Sequence, residues 1–454
     1  MLKLTRVRVE GLFGCLDHEI PLNEEGITFI HGPNGCGKTT VLKLLDGALS
    51  CQLSRLWEVE FKSIEITFGD LSTVVISKTQ EEQTESPSSD ILPELTEESV
   101  KTVLNFTEFL NGRRIRGQEV LSDTSDPEEI AALIRRKPAI VSKYLPHLIQ
   151  SGTRAWRDRD SKLILSPGAI AKKYGDAFPF NIPAWYREKV AKVPRGYIET
   201  QRLLKLSRSS SDEMFDETTL EQVVGLFAEE LKREMAATIE RSALDSQSRE
   251  RSFPQRILAG DFPSSNEQEL RALYAQLQER LKNLSDVGLQ EATDEIALSS
   301  QRLNPTMKRV LGLYLSDLND KLDVFLDLQK RIQLIKDLFG TKLRRKNFQI
   351  TRNDGFLLTD TTSGKSINPT LLSSGEQHLL VMLYQLVFST EENQFFLIDE
   401  PEISIHVEWQ RMFLEDLLKI AALRGHVFLI ATHSPQIINN RMDLAVPLDG
   451  GITV

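Results

Sequence analysis

The chain has 454 residues, 40% of them apolar and 26% charged, with a formal net charge of −10. That length allows about three domains, the composition is ordinary for a soluble globular protein, and the acidic balance disfavours strong non-specific binding to nucleic acid by the whole molecule. No apolar run approaches the roughly eighteen residues a membrane span needs, no secretory segment opens the chain, and three cysteines imply no disulfide framework, so a cytoplasmic protein without membrane partners is expected.

In chain order, residues 1–8 alternate as a strand does. Residues 27–31, Ile-Thr-Phe-Ile-His, then run as a buried strand into Gly32-Pro33-Asn34-Gly35-Cys36-Gly37-Lys38-Thr39, and an amphipathic helix leaves from Lys38 through Thr40. This is a phosphate-binding loop. The glycines permit positive φ and close approach, and backbone N–H groups at a helix amino terminus suit an anion. Lys38 would reach the β- and γ-phosphates of ATP, and the Thr39 hydroxyl would ligate Mg²⁺. Cys36 fills a variable position of the loop.

Strands are expected at residues 63–68 and 72–78, followed by an acidic, polar linker over 79–98 with two prolines. Residues 99–195 read as helical patches with a Gly-Arg-Arg turn, an inserted lobe to which no mechanism attaches. Residues 197–202 are strand-like and end at Gln201-Arg202. Three helical stripes follow: one over 220–239; one over 270–284, opened by Ser265 and Gln268 as a capping box; and one carrying Leu318, Leu322, Phe325, Leu328, Ile332, Ile335 and Phe339, stopped by Gly340. Helices of about 20 to 30 residues, about 30 to 45 Å long, imply a stubby helical lobe. The basic clusters at 113–116, 135–137 and 344–346 read as solvated charge, with DNA contact as the alternative.

Residues 372–377, Leu-Ser-Ser-Gly-Glu-Gln, open a helix-like run, where Ser373 and Glu376 fit a capping box. The run 395–398, Phe-Phe-Leu-Ile, looks like a buried parallel strand delivering Asp399 and Glu400 at its carboxyl edge, where open α/β sheets bind ligands. Asp399 would hold Mg²⁺ through water, and Glu400, on the other side of the strand, would orient or deprotonate the attacking water. A last strand over 427–431 presents His433, a candidate γ-phosphate sensor.

The order of residues 32–39, 372–377, 395–400 and His433 resembles the ABC-type ATPase head of the SMC-like superfamily, over roughly residues 1–78 and 346–454. The resemblance implies an α/β fold, an ABC-ATPase head (a mixed β-sheet with the phosphate loop and flanking helices) interrupted by a mainly helical insertion with a short coiled-coil-like lobe. The implied bounds are 1–78 and 346–454 for the two halves of the head, 79–195 for the inserted lobe, 196–202 for a returning strand and 203–345 for the helical lobe. It also implies that Ser373, Ser374 and Gly375, with Glu376 beside them, seal an ATP bound by a second copy, and that Gln201 completes the Mg²⁺ shell. With no Cys-x-x-Cys in the middle region, a zinc hook is excluded on ligand supply.

Within the superfamily, residues 372–380 and 400–414 are similar to stand-alone bacterial anti-phage ATPases, PARIS first and Septu second, with OLD-type enzymes related; Val407 departs from the proline common after the histidine. That likeness implies a sensor or scaffold that dimerises around two ATP molecules, with possible higher assembly. Its implied partners are a separate Toprim-type or HNH-type effector nuclease, since little chain follows His433, and a phage-encoded trigger. An ATP-dependent DNA clamp in repair or maintenance is the alternative.

Overall fold

The computed structural model describes residues 2–81, 101–121, 131, 134–136, 138–145, 148–152, 155–158, 163–174, 182–198, 219–260, 266–291, 298, 301–448 and 451–452. They fall into two units, Met1–Asp216 with Glu391–Val454, and Glu217–Thr390. Gln201 lies outside the described residues.

In the first unit, β1 (Leu4–Leu12), β2 (Leu16–Pro21) and β3 (Ile27–His31) lead to α1 (Lys38–Ser50) and α2 (Leu53–Glu58). Then come β4 (Ser63–Phe68), β5 (Ser72–Glu81), β6 (Lys101–Leu110), β7 (Arg113–Leu121), α3 (Ala139–Tyr144), β8 (Leu148–Gly152), β9 (Ala155–Asp158), β10 (Ile164–Leu165), α4 (Pro167–Tyr174), α5 (Ala184–Val190) and β11 (Arg195–Ile198). After the second unit the chain returns with β15 (Phe395–Asp399), α11 (Val407–Arg424), β16 (Val427–Thr432), α12 (Pro435–Ile438), β17 (Ala445–Pro447) and β18 (Gly451–Ile452).

Two hydropathy patterns give two kinds of sheet. Along β1, Leu4, Val7, Val9 and Leu12 are buried while Thr5 and Arg6 are exposed, and this alternation builds an antiparallel seven-stranded sheet in the order β18-β2-β1-β4-β5-β6-β7. By contrast, β3, β15 and β16 are almost wholly buried apolar runs, which suits a sheet covered on both faces. They pair in parallel in a five-stranded sheet, β11-β15-β16-β3-β17. Leu397 and Leu429 of this sheet share a core with Val41 and Leu45 of α1 and with Val7 and Ile64 of the larger sheet. The expected α/β architecture is present.

The segment expected to hold helical patches from residue 99 instead begins with a β-hairpin. Strands β6 and β7 pair antiparallel around Asn111-Gly112, two residues at positive φ (48° and 75°), with a register shift between Glu108 and Phe109. An Asn-Gly pair between alternating strands is a strong hairpin signal because both residues tolerate that conformation. The strand-forming aromatic and β-branched residues of 103–109 outweigh helix propensity here. Further on, α3, α4 and the three-stranded sheet β10-β9-β8 enclose a small core of Ile134, Trp156 and Ile170.

The second unit holds α6 (Thr219–Ala259), α7 (Glu267–Asp286), α8 (Pro305–Asp323), α9 (Leu326–Gly340), the antiparallel strands β12 (Lys346–Thr351), β13 (Gly355–Asp360) and β14 (Ser366–Ile367), and α10 (Ser374–Val387). Three helical expectations need correction. At 41 residues, α6 runs about 60 Å, well beyond a stubby lobe. Its inward stripe is apolar as far as Met235 and continues through the buried Thr238 and Ser242, and the later turns are tied to α8 by Arg249 on Asp320 (2.7 Å) and Arg256 on Asp317 (2.6 Å). The capping box of α7 is Asn266 with Glu269, one residue later than expected. The stripe from Leu318 to Phe339 is divided between α8 and α9, whose bounds leave out Val324 and Phe325. Among the described residues no helix is long and apolar enough to cross a membrane.

Candidate functional site

The carboxyl edges of β3, β15 and β16 gather three loops on adjacent strands, with His31 opposite Thr432 and Asp399 opposite Ala431 in the register. From β3 the chain enters the phosphate loop, where Gly35 and Gly37 adopt φ of 85° and 88°. A Cβ on Gly37 would stand 2.5 Å from Leu12 Cδ2, so both the conformation and the space call for glycine. The turn leads directly into the amino terminus of α1, where backbone N–H groups of the first helical turn suit an anion. Pro33, Asn34 and Gly35 are exposed in the loop; Cys36 is buried and packs inward, and Thr40 is half-buried in the first turn of α1.

Lys38 is buried, and its ammonium donates to the carbonyls of Gly32 (2.9 Å) and Pro33 (3.0 Å), with Cys36 Sγ 3.7 Å away. Beneath the loop lies His18, whose Nε2 is 2.8 Å from the Cys36 carbonyl oxygen. Burial pushes its imidazole below the ordinary value, against the smaller upward effects of that hydrogen bond and of Asp17.

The Thr39 hydroxyl donates to Asp399 Oδ1 at 3.0 Å, bridging the first turn of α1 and the end of β15. A hydroxyl and a single carboxylate suit Mg²⁺, which accepts few protein ligands and keeps several waters. Among the described residues no cluster of three or more His, Cys, Asp or Glu that could hold a metal ion is present.

Glu400 is placed differently from expectation. Strand β15 ends at Asp399, and Glu400 takes a left-handed conformation with φ of 45°, so a turn rather than strand alternation aims its side chain. Its amide still donates to Ala431 at 2.9 Å, and its Oε1 lies 3.3 Å from Nε2 of His433. The structure thus brings Lys38, Thr39, Asp399, Glu400 and His433 to one sheet edge.

Ser373, Ser374, Gly375 and Glu376 open α10 in the second unit. There the capping box is formed: Ser373 Oγ accepts from the Glu376 amide (3.3 Å), while Glu376 Oε2 accepts from the Ser373 amide (2.8 Å) and hydroxyl (2.9 Å). Lys346 adds its ammonium to both oxygens of Glu376 at 2.9 and 2.7 Å. Burial pushes the Glu376 carboxyl up, but Lys346 and the Ser373 donors together hold it below the usual carboxylate range.

Sequence reasoning gave no role to His18 or to Glu402. Glu402 accepts from Thr432, His433 and Ser434. Its only sequence signal was an acid two residues beyond Glu400.

Residues 232–439 match a family described as "AAA domain, putative AbiEii toxin, Type IV TA system", and residues 6–145 match a second family described as an AAA domain. Over these two segments the chain is similar to AAA domains. No curated protein matches it. Similar solved structures include the Smc head domain with an extended coiled coil bound to the C-terminal domain of ScpA, from Pyrococcus furiosus, at 12% identity and a TM-score of 0.35, covering 100% of this chain and 95% of that one. An SmcHead bound to the C-winged helix domain of ScpA is 10% identical with a TM-score of 0.36, covering 98% and 93%. The SMC head domain from Thermotoga maritima is 9% identical with a TM-score of 0.31, covering 98% and 92%.

Proposed function

We propose that this chain is an SMC-like ABC ATPase that closes as a dimer around two ATP molecules and serves as sensor or scaffold for a separate effector nuclease in anti-phage defence. What supports the hydrolytic part is the meeting of Thr39 with Asp399 and of Glu400 with His433 at one sheet edge. Lys38 exchanges the carbonyls of Gly32 and Pro33 for the β- and γ-phosphates. Thr39 and Asp399, with Gln201, would hold Mg²⁺, which neutralises charge on the phosphates when bound. Glu400 orients the attacking water and takes its proton, while His433 donates from Nε2 to the γ-phosphate.

The dimer part rests on the segment that opens α10. Ser373, Ser374 and Gly375 close over the nucleotide of the other copy, and Glu376 fixes their conformation. The defence part rests on the likeness of residues 372–380 and 400–414 to PARIS and Septu ATPases, and on the AbiEii description of the family matched by residues 232–439.

The deciding experiment compares the full chain with Glu400→Gln. ATP binding should persist, turnover should fall by about 10²-fold or more, as for other groups that stabilise charge during reaction, and sedimentation with Mg²⁺ and ATP should show a trapped dimer. Undiminished hydrolysis would remove Glu400 from the mechanism. A co-purified Toprim or HNH nuclease would support the defence role, and full biological activity of the chain alone would count against it.

A further inference from the structure

Glu402 lies two residues beyond Glu400 on the 3-10 turn Pro401–Ser404. One of its oxygens, Oε1, accepts three hydrogen bonds from the segment that leaves β16: from the Thr432 hydroxyl at 2.9 Å, the His433 amide at 2.6 Å and the Ser434 amide at 3.2 Å. The two segments are joined again through Gln410 of α11. Its Nε2 donates to the carbonyls of Glu402 (3.3 Å) and Ile405 (3.2 Å), and its Oε1 accepts from the Ser434 hydroxyl at 2.8 Å. Oε2 of Glu402 is buried with no hydrogen-bond partner among the described residues.

A half-buried carboxylate with one oxygen left unsatisfied is costly, and only strong, directed acceptance by the other oxygen offsets it. Apolar packing of the turn needs no such group. What the carboxylate supplies is a fixed conformation for three successive residues, the middle one being His433. On the other side, Glu400 is anchored by its own amide to Ala431. The main chain on each side of the Glu400–His433 pair is therefore pinned to the opposite segment.

We propose that Glu402 is a positioning residue for the hydrolytic site: it holds the His433 main chain against the Glu400 turn and so sets the imidazole beside Glu400, at 3.3 Å. The inference rests on the ATPase reading for its catalytic consequence, but not for the clamp itself.

The test uses the full chain as wild type, Glu402→Ala, Glu402→Gln, His433→Ala and the combined Glu402→Ala, His433→Ala variant, with two readouts. In Glu402→Ala, amide hydrogen exchange at His433 and Ser434 should quicken by about tenfold or more while amides of α1 keep their wild-type rates. Glutamine keeps an oxygen acceptor and should fall between. In steady-state hydrolysis, Glu402→Ala should lower kcat by about tenfold or more and leave KM for ATP within about twofold. The combined variant should be no slower than His433→Ala, because Glu402 acts through that residue.

Unchanged exchange at His433 and Ser434, or losses that multiply in the combined variant, overturn the positioning role. If the wild type hydrolyses no ATP, the ATPase reading fails while the exchange measurement still decides whether Glu402 holds the turn. Should Glu402→Ala not fold, Glu402→Gln carries both readouts, with a smaller change of the same sign expected and no change in either overturning the role.

Discussion

His18 sets the geometry of the phosphate loop from below. A carbonyl can only accept, so the proton of the His18–Cys36 bond sits on Nε2. In a trans peptide the carbonyl of one residue and the N–H of the next point in opposite directions. Holding the Cys36 carbonyl toward His18 therefore turns the Gly37 N–H toward the concave face of the loop. His18→Ala should raise KM for ATP by about three- to tenfold, the worth of one buried hydrogen bond, with a smaller change in kcat. His18→Gln, which still offers an N–H donor, should lose less. An unaltered KM in the alanine variant would detach His18 from nucleotide binding. The same residue carries a pH dependence. Its folded proton affinity lies below the ordinary value of 6.5, so below that pH the unfolded chain takes up a proton that the native one resists. Its share of stability is complete above 6.5 and is lost as pH falls toward the folded value. Thermal melting followed downward from neutral pH should fall more steeply for the wild type than for His18→Gln. Lys38, Thr39, Asp399 and His433 could be named as candidates from the sequence because each belongs to a local motif beside a strand. His18 and Glu402 act across separations of 18 and about 30 residues, which only the folded sheet reveals.

Among the elements, α10 is the one whose start carries the most chemistry. Ser373 is its N-cap, and the capping box links it through Glu376 to Lys346 of β12. Ser373→Ala removes an acceptor for the Glu376 amide and should cost about 1 kcal/mol of stability in denaturant unfolding at neutral pH. A loss too small to measure would show that the cap is redundant. Glu376 adds a sign of its own. Its folded affinity for a proton is depressed below the ordinary 4.5, so its contribution is present above that pH and fades as pH falls through the folded value. The elements legible beforehand were those with an unbroken signal. Strand β4 was expected at its observed bounds, Ser63–Phe68, and α9 ends at Gly340 as its glycine stop implied. At the hairpin β6–β7 the turn beside Arg113 and Arg114 was legible, but its flanks were expected as helical patches rather than as the paired strands that Asn111-Gly112 joins. The division between α8 and α9 was missed because Leu322, Phe325 and Leu328 keep helical spacing on either side of the break, so periodicity alone records no interruption.

At the scale of the whole molecule, the proposal makes the phosphate loop and the α10 start parts of one site contributed by two copies, and this can be tested by mixing. Lys38→Met disables the loop, and Ser373→Arg puts a bulky cation where the neighbour's phosphate would be sealed; each variant alone should be nearly inactive. In a symmetric dimer each copy presents the same surface to the other, so a mixed dimer has two unequal sites. One joins the defective loop to the defective seal. The other joins an intact Ser373 segment from the first variant to an intact Lys38 loop from the second. Random pairing makes about half of the dimers mixed, and each carries one working site, so an equimolar mixture should recover roughly a quarter of wild-type turnover if the sites act independently. Recovery should grow with total protein concentration and vanish on dilution below the dimer affinity. If Ser373 instead served the nucleotide held by its own Lys38, both copies in every pair would remain defective and mixing would restore nothing.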